Sequence, residues 1–242
     1  MKRHAQTALL VLTGLGLLHA ALFTDLYLRY VKEGLRPLLI ASGVLLTLLG
    51  LASAALDRGH EEHAGHAHGH DHSTAPRVAW LLFLPAVSLL FYAPPALGAY
   101  TAAHSNNKAV RAQKRFDPLP AGSPLAMTLT DFTSRVQQDR SLAIKGRSVR
   151  LTGFATPAGR GGGWYLTRII FTCCAADSQT VKVRVYGTPA PPANTWLAVT
   201  GAWHPKGTLG TRSAEAALDV RRLQPMAQPV NAFTDDLPLT PS

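Results

Sequence analysis

The chain has 242 residues, 47% of them hydrophobic and 16% charged, with a net charge of +10. That length bounds it to one or two compact units, and its only two cysteines, adjacent at 173 and 174, exclude a disulfide-stapled scaffold because bridging neighbours strains the ring they would close. The charge is uneven: after residue 107, seventeen Lys and Arg face eight Asp and Glu, yet no recognition motif for nucleic acid accompanies the surplus, so membrane lipid is an expected partner and nucleic acid is not.

In chain order, three apolar stretches come first, from Ala8 to about Leu28, from Leu35 to Leu56 and from about Val78 to Tyr100. Each is near the roughly 20 residues that a helix needs to cross a bilayer. They predict a membrane-embedded α-helical region of about three spans over residues 1–103, in a multi-pass protein of the cell membrane. Lys2 and Arg3 ahead of an apolar core also fit a signal peptide, but a second stretch follows at once and the small-residue cleavage pattern is weak. Pro85, Pro94 and Pro95 kink or end the third stretch near the interface. Lys and Arg flank both sides of these stretches, so their count assigns no side to the C-terminal domain. His19 and Asp25 are the ionisable residues closest to mid-span, and three short spans lining no ionisable route are too few for a self-contained transport pathway.

The loop over 58–76 carries His60, His63, His66, His68, His70 and His72, with Glu61, Glu62 and Asp71 among them. Imidazole suits zinc, nickel, copper and cobalt, and the intervening Gly and Ala leave the backbone free to fold several rings about one ion. No spacing in this run imposes a single tetrahedral site. Weak, exchangeable binding of zinc or another divalent transition metal is expected, as in a collector loop, with a solvated low-complexity linker as the plainer reading.

A basic linker over 104–124 leads to a domain over 125–226 and a flexible tail over 227–242. Thr130 to Asp139 predicts a short helix with Asp131 in its first turn, where the helix dipole favours a negative charge. Five strand signals follow, at Arg147–Phe154, Trp164–Thr172, Val181–Tyr186, Thr195–Trp203 and Ala217–Leu223. They predict a small all-β domain, an OB-like barrel preceded by one short helix. At the end of the second strand stand Cys173, Cys174 and Asp177. Buried cysteine commonly serves as a small hydrophobe; the other reading is a soft-metal or redox site, with His204 near it and with Arg168 or Lys182 lowering a thiol pKa.

Three elements together resemble the bacterial YcgQ-like permease-subunit family: Val149-Arg150-Leu151-Thr152-Gly153-Phe154, Arg168 through Asp177 with its Cys-Cys-Ala-Ala-Asp core, and Trp196-Leu197-Ala198-Val199-Thr200-Gly201. Ala93-Pro94-Pro95-Ala96-Leu97-Gly98 extends the likeness toward the apolar half, and Ser178 departs from the small residue common there. The resemblance implies a non-enzymatic accessory subunit that works with a separate multi-spanning permease in metal homeostasis, zinc above all, with Cys173, Cys174 and Asp177 as its signature. The alternative is a membrane-tethered thiol redox or metal-transfer protein. It lacks the usual support, since the chain has no Cys-x-x-Cys, Gly-rich nucleotide loop or nucleophile elbow. A third reading is a structural tether whose basic domain touches lipid electrostatically.

Overall fold

A computed structural model describes residues 2–59, 97–105, 110–113, 115–159 and 163–239. The chain divides into two compact units, one of Met1–Leu26 with Leu35–Ala96, the other of Tyr27–Gly34 with Leu97–Ser242.

In the first unit, helix α1 (Lys2–Leu22) packs on helix α2 (Arg36–Gly59). Glycines let the two backbones approach: a Cβ on Gly50 would stand 2.6 Å from Val11 Cγ2, and one on Gly43 would stand 2.8 Å from Leu18 Cγ. Small residues at a crossing let two helix backbones approach closely. The hydroxyls of Ser42 and Thr47 donate back to the carbonyls of Leu38 and Gly43, so neither stays unsatisfied on an apolar helix. Arg36 Nε donates to the Ala21 carbonyl at 2.9 Å, tying off the last turn of α1.

The expectation of about three spans is corrected here. Among the described residues one helix, Glu33–Leu56, with mean hydropathy 2.2, is long and apolar enough to cross a membrane. At 24 residues it reaches about 36 Å at 1.5 Å per residue, against a hydrocarbon core of about 30 Å. The apolar part of α1 is only Gln6–Leu22, about 25 Å long. Past Leu22 the Thr24 hydroxyl folds back on the Ala20 carbonyl and the chain turns into a 3₁₀ segment at Leu26–Arg29, so the run read as continuous to Leu28 is broken. Most of the third stretch lies outside the described residues. Its end belongs to the second unit: helix α3 (Ala99–His104) buries Ala99 and Ala102 in a cluster with Phe154, Ile169 and Phe171.

The second unit is built on strands β1 (Leu125–Ala126), β2 (Val149–Pro157), β3 (Trp164–Ile170), β4 (Gln179–Tyr186), β5 (Trp196–Trp203) and β6 (Ala217–Pro225), with helix α4 (Leu129–Gln138) between β1 and β2. Their order is β1-β2-β3-β4-β6-β5, and β2 also pairs with β5, so the sheet closes on itself. The expected five strands are corrected to a six-stranded mixed sheet: β2, β3, β4, β6 and β5 form the closed ring and the short β1 adds to the edge of β2. β1 pairs parallel to β2 and β4 parallel to β6, whereas the other pairs are antiparallel. A two-residue strand such as β1 has no period to read, and parallel pairing is a long-range choice that leaves no local mark.

Inside the sheet Leu151, Leu166, Val183, Val199 and Leu218 are buried together with Trp164, and α4 presents Leu129, Phe132 and Val136 to them. Thr128 caps that helix, its hydroxyl accepting from Asp131 N–H at 3.1 Å. Gly153 is required where strands meet closely, since a Cβ there would lie 2.6 Å from the Thr167 carbonyl oxygen. Within the C-terminal tail, Ala232 and Phe233 are buried. Arg168, itself nearly enclosed, donates to the carbonyls of Asn231 and Thr234 at 3.1 and 2.9 Å. Burial lowers its pKa to about 10 against the pull of Asp235 and Asp236, still far above neutrality, so the guanidinium stays charged.

Candidate metal centre

β3 and β4 are antiparallel neighbours whose register ends at Ile170↔Gln179. The connection between them opens with Phe171, whose ring stacks on Phe233 at 4.6 Å and whose N–H donates to the Phe233 carbonyl. It closes with a 3₁₀ turn at Ala175–Asp177.

Asp177 organises the turn. Its Oδ1 accepts from the N–H of Thr172 at 3.0 Å and of Cys174 at 3.2 Å, and its Oδ2 accepts from the N–H of Cys173 at 2.8 Å. Three successive amides aimed at one carboxylate draw the chain into a tight loop, and both thiols are left at its mouth. Cys173 is exposed, Cys174 is half-buried, and their sulfurs stand 3.7 Å apart. One ligand atom from each of Cys173, Cys174 and Asp177 lies within 4.8 Å of the others, so the group can hold a metal ion.

The electrostatics follow from these contacts. The Asp177 carboxylate is the foremost acceptor for the single Cys173 thiol hydrogen and Cys174 sulfur the second; both favour the protonated thiol and, with the repulsion between a thiolate and the carboxylate, push its pKa up to about 11 from 9.0. Partial desolvation acts to raise the Asp177 carboxyl, but hydrogen bonds from the Cys173 thiol and from the N–H groups of Cys173, Cys174 and Thr172 outweigh it and hold the carboxyl below its ordinary value.

The segment Tyr27–Gly34 completes the surroundings. Val31 forms an antiparallel bridge with Cys174, Lys32 N–H donates to the Cys173 carbonyl at 3.0 Å, and Ala175 N–H donates to the Tyr30 carbonyl at 2.7 Å. The sequence reads this stretch as a polar turn between apolar helices. Its role beside the cysteines is invisible there because it works through backbone groups, and only the β-branched Val31 hints at extended structure.

The remaining candidates fall elsewhere. The six histidines of the run His60 to His72 lie outside the described residues. His204 stacks on Tyr186 at 4.1 Å and pairs with Asp219 at 2.8 Å. Tyr186 ends β4, about 23 Å of strand rise from the Cys turn at its start, so His204 takes no part in the cluster. Arg168 is committed to the tail carbonyls, and the Lys182 amine donates to the Ser105 carbonyl at 3.0 Å. Neither acts on the Cys173 thiol, whose shift runs the other way.

No family model, curated protein or solved structure matches the chain.

Proposed function

We propose that the protein is a non-enzymatic, membrane-tethered accessory subunit of a two-component permease in divalent metal homeostasis, with Cys173, Cys174 and Asp177 as an exchangeable zinc site. The observation that carries this reading is the sulfur separation. Two thiolates on a tetrahedral zinc, with Zn–S near 2.3 Å, stand about 3.8 Å apart, whereas a linear ion with the same bond length would need about 4.6 Å. The observed 3.7 Å suits the tetrahedral ion.

Two thiolates and one carboxylate leave a fourth position open to solvent or to a donor from another protein, as suits an ion that is to be passed on. The ion must displace the thiol protons, and the raised Cys173 pKa makes that displacement costly at neutral pH, which favours release over permanent retention. The same shift disfavours a redox or nucleophilic centre, which needs the thiolate at neutral pH. The histidine run supplies imidazoles to gather metal, and the likeness to the YcgQ-like family supplies the permease partner.

The test is a cobalt(II) titration of the full chain in detergent, with zinc as competitor. Thiolate-to-cobalt absorption that zinc abolishes, and that is lost in Cys173→Ser with Cys174→Ser but kept when the six histidines become Asn, supports the site. Binding that ignores the cysteines would remove it and leave the histidine run as the metal-binding element.

A further inference from the structure

A second site has no connection with the cysteines. The described part of the basic linker runs along the end of helix α4 and is fastened there by two side chains: Gln138 Nε2 donates to the carbonyls of Val110 and Arg111 and its Oε1 accepts from Gln113 N–H at 2.8 Å, while Arg135 Nη2 donates to the Asp117 carbonyl at 3.1 Å. The loop after β5 closes the other side, with Gly210 N–H on the Val136 carbonyl at 2.8 Å. Between them is a cleft of about 1140 Å³.

Three arginines line it, each from a different segment: Arg115 from the linker, Arg140 from just past α4, and Arg212 from the loop. All three are exposed, and among the described residues none of their guanidiniums has a hydrogen-bond, ion-pair or ring partner. One carboxylate shares the lining, and it is already engaged. Asp139 Oδ1 accepts from Ser141 N–H and hydroxyl at 2.9 and 2.5 Å, and its Oδ2 faces Arg135 Nη1 at 3.7 Å. The helix-end carbonyls of Arg135 and Val136 are likewise occupied, by the N–H groups of Asp139 and Gly210.

Like charges gathered around a concave surface repel each other and focus a positive potential. Arginine's planar fork matches phosphate oxygens in pairs, and the cleft is too large for one phosphate and lined mainly by polar groups. We infer that this cleft binds a ligand carrying two or more phosphates, held by Arg115, Arg140 and Arg212. A phosphorylated small molecule and a polyphosphorylated lipid headgroup present the same chemistry.

The experiment measures tripolyphosphate binding to the full chain in detergent by calorimetry. Wild type is expected to bind more tightly than about 1 mM. Replacing Arg115, Arg140 and Arg212 together by Gln should weaken binding at least about tenfold, because charge-assisted forked contacts are lost. The matched triple Arg150→Gln, Arg221→Gln and Arg222→Gln removes equal charge from exposed positions outside the cleft and should change affinity by less than about threefold. The cleft triple should melt with wild type, since its guanidiniums hold nothing; if it does not, Arg212→Gln alone is read for a loss of at least about threefold. Inositol trisphosphate and micelles carrying phosphatidylinositol bisphosphate then compete for the site, and the stronger competitor identifies a soluble or a lipid source. No binding by wild type, equal weakening in both triples, or tighter binding of polyglutamate than of tripolyphosphate overturns the inference.

Discussion

Alkylation of Cys173 should be slow, and its pH profile should report why. In a Cys174→Ser background the thiol keeps its strongest partner, Asp177, which is the first cause of a pKa near 11 in place of 9.0. At about pH 8 that shift lowers the thiolate fraction about 100-fold. A more basic thiolate is also more nucleophilic, with a Brønsted slope of about 0.4–0.5, which returns roughly eightfold. The net expectation is iodoacetamide labelling slower in the folded protein than in the unfolded chain by up to about tenfold, with a rate that climbs tenfold per pH unit to a midpoint between 9.0 and about 11, since the contribution of Cys174 is lost. The sign follows from the acid form: the folded state favours the neutral thiol, so the stability it adds is present below pH 9 and is lost as pH rises toward 11. Asp177→Asn removes the carboxylate that repels the thiolate and should bring the midpoint back toward 9. A midpoint at or below 9 in the Cys174→Ser protein, or no response to Asp177→Asn, would refute the electrostatic account of the turn.

Metal affinity should fall steeply with acidification, by up to about 100-fold per pH unit where both thiols must be deprotonated, as read by cobalt titration at several pH values. Phe132→Ala, which empties the contact between α4 and the sheet interior, should cost about 3–5 kcal/mol, seen as a lower melting midpoint of the β-rich unit. Arg168→Met should free the C-terminal segment, because each hydrogen bond from its charged donor contributes about 1.5–3 kcal/mol. Hydrogen exchange at residues 231–236 should then speed up while the sheet core stays protected. Gly43→Leu should push α1 and α2 apart by placing a side chain against Leu18, and cysteine pairs engineered across that crossing should lose their cross-linking.

Much of the β-rich unit was legible in advance because its signals are local. The five longer strands announce themselves by alternation, as in Val181 to Tyr186, or by aromatic and β-branched residues, as in Trp164 to Thr172, and the helix by Asp131 at its start. Cys173, Cys174 and Asp177 could be singled out together because they occupy one turn of chain, and a turn is a local structure. The number of spans was misjudged since hydropathy is blind to what an apolar segment packs against: the end of the third stretch lies on Phe154 and Ile169 of the sheet. Distant side chains were the other source of error. Arg168 and Lys182 look like partners for a nearby thiol in the sequence, yet long side chains bond to whatever backbone the fold brings to them, here the Asn231, Thr234 and Ser105 carbonyls.

The sequence by itself determined the two chemically distinct halves, the apolar helices, the strand positions and the trio of ligand-type residues at 173, 174 and 177, because each depends on composition or on spacing within a few residues. Only the tertiary structure decided that three amides clamp Asp177, that its carboxylate raises the Cys173 thiol, that Val31 and Lys32 pair with the cysteine backbone, that the sheet closes through β2 and β5, and that Arg115, Arg140 and Arg212 line one cleft. Most of these are meetings of segments tens of residues apart, and even the clamp on Asp177 is a matter of atomic geometry. Such meetings are set by the burial of a shared core and the pairing of main-chain hydrogen bonds, for which no short stretch of sequence holds the register.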